Sequence, residues 1–144
     1  MNAFIPKKHK FKKIHKNVRI KKTYDLKLND LKSSICGLKI LKSGTISSTV
    51  LEAARRIIKR KTKKIGILKI NAFANIPITS KASGVRMGKG VGSISKWVSP
   101  IKKGRIIFEL DNISIELAEA ALKSAALKLN LPSKVIYNYM KITK

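Results

Sequence analysis

Hydrophobic positions along this chain change period several times, and each change marks an element. Leu26, Leu28 and Leu31 are scattered through residues 23–34 without a period, which reads as connecting structure. Ile35-Cys-Gly-Leu-Lys-Ile-Leu41 is an apolar run of strand length, and Gly44 breaks it. From Ser47 the spacing becomes helical. Val50, Leu51, Ala54, Ile57 and Ile58 share one face; Arg55, Arg56, Lys59, Arg60 and Lys63 share the other. Ser47 or Thr49 can cap this helix, and Thr49-x-x-Glu52 has capping-box spacing. Ile65 to Ile70 is expected as a buried strand. Asn75 to Thr79 is expected as a turn and edge segment, because Pro77 has no N–H to give to a ladder.

Ser93 to Ile101 alternates with period 2, Ile94, Lys96 and Val98 against Ser95 and Trp97. Trp97 is expected in the core, with base stacking as the alternative. Lys102-Lys-Gly104 reads as a turn, and Arg105 to Leu110 as the second strand of a hairpin. Ser114 opens a second helix reaching about Leu129, with Ile115, Ala118, Ala121, Leu122, Ala125 and Leu129 on one face. Pro132 stops it, and Val135, Tyr137 and Tyr139 alternate as a closing strand. The order predicts an α+β fold: two helices packed on a mixed or antiparallel sheet. Residues 1–22 form a basic extension and residues 23–144 a single domain.

Charge then narrows the function. The chain of 144 residues has 33 Lys and Arg against 7 Asp and Glu, a net charge of +26. Self-repulsion on that scale calls for a polyanion, and nucleic acid fits better than a membrane surface. No apolar run is long enough to span a bilayer, so membrane insertion is not expected. Nine cations fall within residues 1–22, among them Lys7, Lys8, Lys10, Lys12, Lys13 and Lys16. That density suggests an arm that orders against phosphates rather than a solvated tail. One cysteine, Cys36, cannot form an internal disulfide, and His9 and His15 are too few for a zinc site. No cofactor or metal is expected. The Lys-rich start lacks Ser and has no apolar core, so neither a transit peptide nor a secretory signal is expected.

The densest signal is Gly84-Val-Arg-Met-Gly-Lys-Gly-Val-Gly92, which holds four of the eight glycines with Arg86 and Lys89 between them. Glycine allows close backbone approach and positive φ; Arg and Lys supply charge for phosphates. The spacing fails as a nucleotide-binding P-loop. Three residues rather than four separate Gly84 from Gly88, Gly90 rather than Ser or Thr follows Lys89, and the next segment is a strand. No acid or histidine lies between Glu52 and Glu109, and no nucleophile–base pair can be assembled. Glu109 and Asp111 are expected at a solvated strand end. An enzyme is therefore not expected, and the loop reads as one that touches RNA.

Several blocks occur together in one order: Gly37-Leu-Lys-Ile-Leu41, Leu51-Glu-Ala-Ala-Arg-Arg56, Pro77-Ile-Thr79, Val85-Arg-Met-Gly-Lys-Gly90, Trp97-Val98, Gly104 with Phe108-Glu109, and Leu117-Ala118 to Lys128-Leu129. Together with the basic start Lys10 to Lys16 they closely resemble the bacterial-type large-subunit ribosomal protein family sixteen, over about residues 10–135. The resemblance implies a hammerhead-like α+β fold and a structural role in the large subunit. Its implied partners are large-subunit rRNA, tRNA and neighbouring ribosomal proteins, with no homo-oligomer. By resemblance, Lys7, Lys8, Lys10, Lys12, Lys13 and Lys16 enter rRNA. The charge pattern adds Arg55, Arg56, Lys59 and Arg60 of the first helix. The loop Arg86, Met87, Gly88, Lys89, Gly90, Gly92 would point towards the peptidyl transferase region and aminoacyl-tRNA, and in relatives the arginine matching Arg86 can be hydroxylated. The chain departs from the family pattern at Asn17-Val18, Ala82 and Val91. With its lean towards Ile, Lys and Asn, this suggests an organelle-encoded mitochondrial ribosomal protein, with a bacterial or plastid ribosome as the alternative.

Overall fold

The computed structural model describes residues 4–8, 10–15, 24–31, 34–88 and 90–139. The elements run β1 (Cys36–Ile40), β2 (Gly44–Ser47), α1 (Ser48–Lys61), β3 (Ile67–Ile70), β4 (Ile76–Ser80), β5 (Ser93–Ile101), β6 (Ile106–Asp111), α2 (Ile115–Ala126) and β7 (Ser133–Tyr137). The α+β class and both helices are as the periodicity requires, except that α2 stops at Ala126 rather than near Leu129. The strands form two antiparallel sheets, one of four strands in the order β3-β6-β1-β7 and one of three in the order β2-β5-β4.

That division corrects the hairpin expected across Lys102 to Gly104. The turn is present, but β5 pairs with β2 and β4 while β6 pairs with β1 and β3. The chain leaves one sheet and enters the other. Gly44 also begins β2, which the sequence did not suggest. β3 is an edge strand with Ile67 and Lys69 exposed, not the buried strand its apolar composition implied.

The core lies between the four-stranded sheet and the helices. Leu38 stands opposite Phe108 and Val135, and Leu38 and Phe108 are fully buried. Leu51, Ala54 and Ile58 of α1 join Ala118, Ala121, Leu122 and Ala125 of α2, where small side chains let the helices pack closely. Ser47 caps α1, accepting from the Val50 amide at 3.4 Å. Thr49 lies inside the helix, so the Thr49–Glu52 capping box does not form. Cys36 is fully buried in β1, and burial pushes its thiol up to about 11.

Residues 24–31 do more than connect. They cross the second face of the sheet: the Ile106 amide donates to Leu28 O (2.8 Å), the Asp25 amide donates to Lys103 O (2.9 Å), and Tyr24 lies directly on Gly104. Glu109 is therefore buried rather than at a solvated strand end. It accepts from Ser34 Oγ at 2.9 Å and from Asn71 Nδ2. Trp97 is half-buried opposite Pro77.

Candidate nucleic-acid interface

β4 and β5 are antiparallel neighbours joined by residues 81–92, so the glycine-rich stretch is the tip of a long hairpin on an edge of the smaller sheet. The loop is pinched at its base. A Cβ on Gly92 would collide with the Ser80 carbonyl, so only glycine lets the strands come this close there. Beyond the base, Gly88 (φ 96°) and Gly90 (φ 83°) are left-handed, and a Cβ at either would meet open space. Arg86 is exposed, and Met87 is 92% exposed. Gly88 and Gly90 are exposed and Gly92 half-buried. Lys89 lies outside the described residues. What the tip offers is backbone, the exposed apolar side chains of Val85, Met87 and Val91, and cationic charge with no carboxylate beside it, a set suited to contacting RNA and not to bond-breaking chemistry.

The arm is brought to the loop. Phe4 is buried in the core cluster, which anchors the arm to the domain at that point. Lys7, Lys8, Lys10, Lys12 and Lys13 are all exposed. Ile14 and His15 line a cleft of about 310 Å³ with Thr45, Ile76, Pro77, Ile78 and Val98 of the three-stranded sheet. Lys13 Nζ donates to Val91 O at 3.0 Å, which joins arm and loop. Lys16 and His9 lie outside the described residues.

The basic face of α1 is less free than its spacing suggests. No acid follows these cations by four residues, but Glu52 precedes two of them and pairs with both. Arg55 donates to it through Nε (2.8 Å) and Nη2 (2.7 Å), and Arg56 through Nε (2.9 Å). The hydrogen bond from Arg55, foremost, holds the Glu52 carboxyl down at about 2. Lys59, half-buried, and Arg60, exposed, sit in the last turn, where the helix dipole favours cations. The helix then ends through Lys63 (φ 47°) and Lys64 (φ 65°). Arm, loop and α1 are thus three basic surfaces, and a hydrogen bond joins arm and loop. Sequence missed two residues here. Phe4 is a single aromatic with no periodic partners, and Lys81, whose Nζ donates to Gly88 O, is one lysine among many.

The family model described as ribosomal protein L16p/L10e matches residues 6–136, nearly the whole chain. The chain belongs to that family. It is 42% identical over 134 residues to large ribosomal subunit protein uL16c of Helicosporidium sp. subsp. Simulium jonesii, covering 93% of this chain and 96% of the relative. Two bacterial relatives, the large ribosomal subunit proteins uL16 of Psychrobacter cryohalolentis and Psychrobacter arcticus, are each 41% identical over 131 residues, covering 91% of this chain and 94% of theirs. This L16-family chain is a structural constituent of the large ribosomal subunit, part of translation and not an enzyme. The family implies rRNA and other ribosomal proteins as partners. Among the described residues no helix is long and apolar enough to cross a membrane.

Proposed function

We propose that this L16-family protein fastens itself to large-subunit rRNA through its arm and α1 and presents the glycine loop to aminoacyl-tRNA near the peptidyl transferase region. Residues 1–22 act as the rRNA-binding extension of a single α+β domain spanning 23–144. Exposed Lys7, Lys8, Lys10, Lys12 and Lys13, with Lys16, neutralise phosphates. Lys59 and Arg60 do so from α1, while Arg55 and Arg56 present a guanidinium pair steadied by Glu52. Affinity from this source falls with salt, by roughly −0.7 to −0.9 in log–log slope per phosphate contacted. The observation that carries the tRNA reading is the projecting hairpin tip, with Arg86 and Met87 exposed and no carboxylate in the loop to neutralise Arg86. RNA carries the peptide-bond chemistry; the loop helps hold the substrate in place. A modification of Arg86 would act at this same tip.

The test is Arg86→Ala in reconstituted large subunits. Aminoacyl-tRNA binding is expected to weaken about three- to ten-fold, the scale of one lost arginine contact, with subunit incorporation unchanged. Binding equal to wild type overturns the tRNA role. For compartment, we infer a mitochondrial ribosome from the Ile, Lys and Asn bias and the departures at Asn17-Val18, Ala82 and Val91. The plastid-type and bacterial names of the relatives favour the alternative. Co-sedimentation with the large subunit from purified mitochondria decides between them.

A further inference from the structure

The tip has unusually little to hold its shape. Gly88 and Gly90 would leave a Cβ in open space, and Val85, Met87 and Val91 are exposed. Two ammonium groups reach it from different parts of the chain. Lys81, just after β4, donates through Nζ to Gly88 O at 2.5 Å, and Lys13 of the arm donates to Val91 O at 3.0 Å. Both acceptors are main-chain carbonyls, so each bond constrains the backbone itself, on either side of Lys89. Hydrogen bonds from a charged donor are the strong kind, and a carbonyl acceptor leaves the positive charge in place. The arm starts from Phe4 in the core, and Ile14, half exposed, borders the cleft beside the three-stranded sheet.

We propose that Lys81 and Lys13 are positioning residues of the glycine loop: by donating to the Gly88 and Val91 carbonyls they hold the tip in its projecting form and couple it to the seating of the arm. The proposal deepens the reading of the loop as a tRNA-facing element and rests on it for purpose, but not for geometry. Arm and loop become one unit: rRNA that orders the arm also orders the tip. Lys81 acts locally, from the hairpin's own stem; Lys13 makes the link to the arm.

The experiment is hydrogen exchange of the loop amides between 82 and 92, read by mass spectrometry on the full chain in large subunits without tRNA. Lys81→Met and Lys13→Met are each expected to speed loop exchange about two- to ten-fold. The melting temperature of the free chain stays unchanged in both, and Lys81→Met enters subunits as wild type does; Lys13→Met also loses a phosphate-facing cation, so its exchange is read only on subunits that have incorporated it. The double variant is expected to show less than the product of the two effects, as residues acting on one element do. Lys81→Arg, which keeps a donor, restores slow exchange. Loop exchange equal to wild type in both single variants overturns the proposal. Faster exchange in Lys13→Met confined to the arm overturns the coupling. Because tRNA is absent, the result does not depend on Arg86→Ala: a loop that loosens without changing tRNA binding sinks the functional reading and leaves the tethers standing.

Discussion

In the four-stranded sheet, β6 runs through five consecutive buried residues, Ile106 to Leu110, with helices on one face and residues 24–31 on the other. In the three-stranded sheet, β5 begins exposed at Ser93, Ser95 and Lys96, and becomes buried only from Val98 onward. One sheet is closed on both sides; the other is a stalk, packed at its root and bare at its tip. The difference shows how a chain of +26 keeps a stable core. Its buried apolar side chains are gathered in the four-stranded sheet, the two helices and the root of the smaller sheet, and much of its exposed charge is carried on a hairpin, an arm and a helix face.

The comparison can be pressed hardest at its two extremes. Phe108→Ala empties the centre of the closed sheet and is expected to cost about 3–5 kcal/mol in denaturant titrations, enough to unfold a marginal domain. Met87→Ala at the tip is expected to change stability by less than about 0.5 kcal/mol. Equal losses at the two sites would abolish the distinction. Next comes the arm. Phe4→Ala is expected to cost about 2 kcal/mol and to free the arm to proteases, because it removes a ring buried in the core cluster near the arm's start. A stable, protease-resistant variant would return the arm to a solvated tail.

The smallest effect separates α1 from both. Glu52→Gln should cost about 1 kcal/mol by weakening the bonds from Arg55 and Arg56, Arg56 being largely exposed. Its pH signature has a definite sign. The folded carboxyl sits at about 2 against an ordinary 4.5, so its contribution is complete above 4.5 and fades as pH falls from there towards 2. Acid titrations of wild type and Glu52→Gln should therefore converge across that window; parallel curves would show that the pair does not stabilise the fold.

Where the sequence was legible, a local pattern and its tertiary setting agreed. Both helices announced themselves through period and stop signals, and β5 begins and ends where the alternation does. The loop stood out because four glycines in nine residues have few structural uses. The failures have a shared cause. Lys102-Lys-Gly104 does turn the chain, but a turn does not specify which sheet receives the next strand, and here the receiving edge belongs to β1 and β3. β2 is four residues with a single fully buried side chain, Ile46, too little for a period to register. Glu52 was read only back towards Thr49 as a capping-box partner, whereas its partners are the two arginines that follow it on the charged face. Phe4 and Lys81 act through distant contacts that no local spacing encodes, so the seating of the arm and the tethering of the loop became visible only in three dimensions.

Cys36 gives this architecture an internal clock. It is the chain's one thiol, sits in β1 between β6 and β7, and is doubly shielded, by fully buried packing and by a proton held to about 11. Thiol reagents attack the thiolate, so they reach this sulfur only when the closed sheet itself comes apart. Motions of the arm, loop or hairpin stalk leave it silent. The protein thus carries a natural reporter that counts openings of its core and ignores the movements of its outlying basic parts.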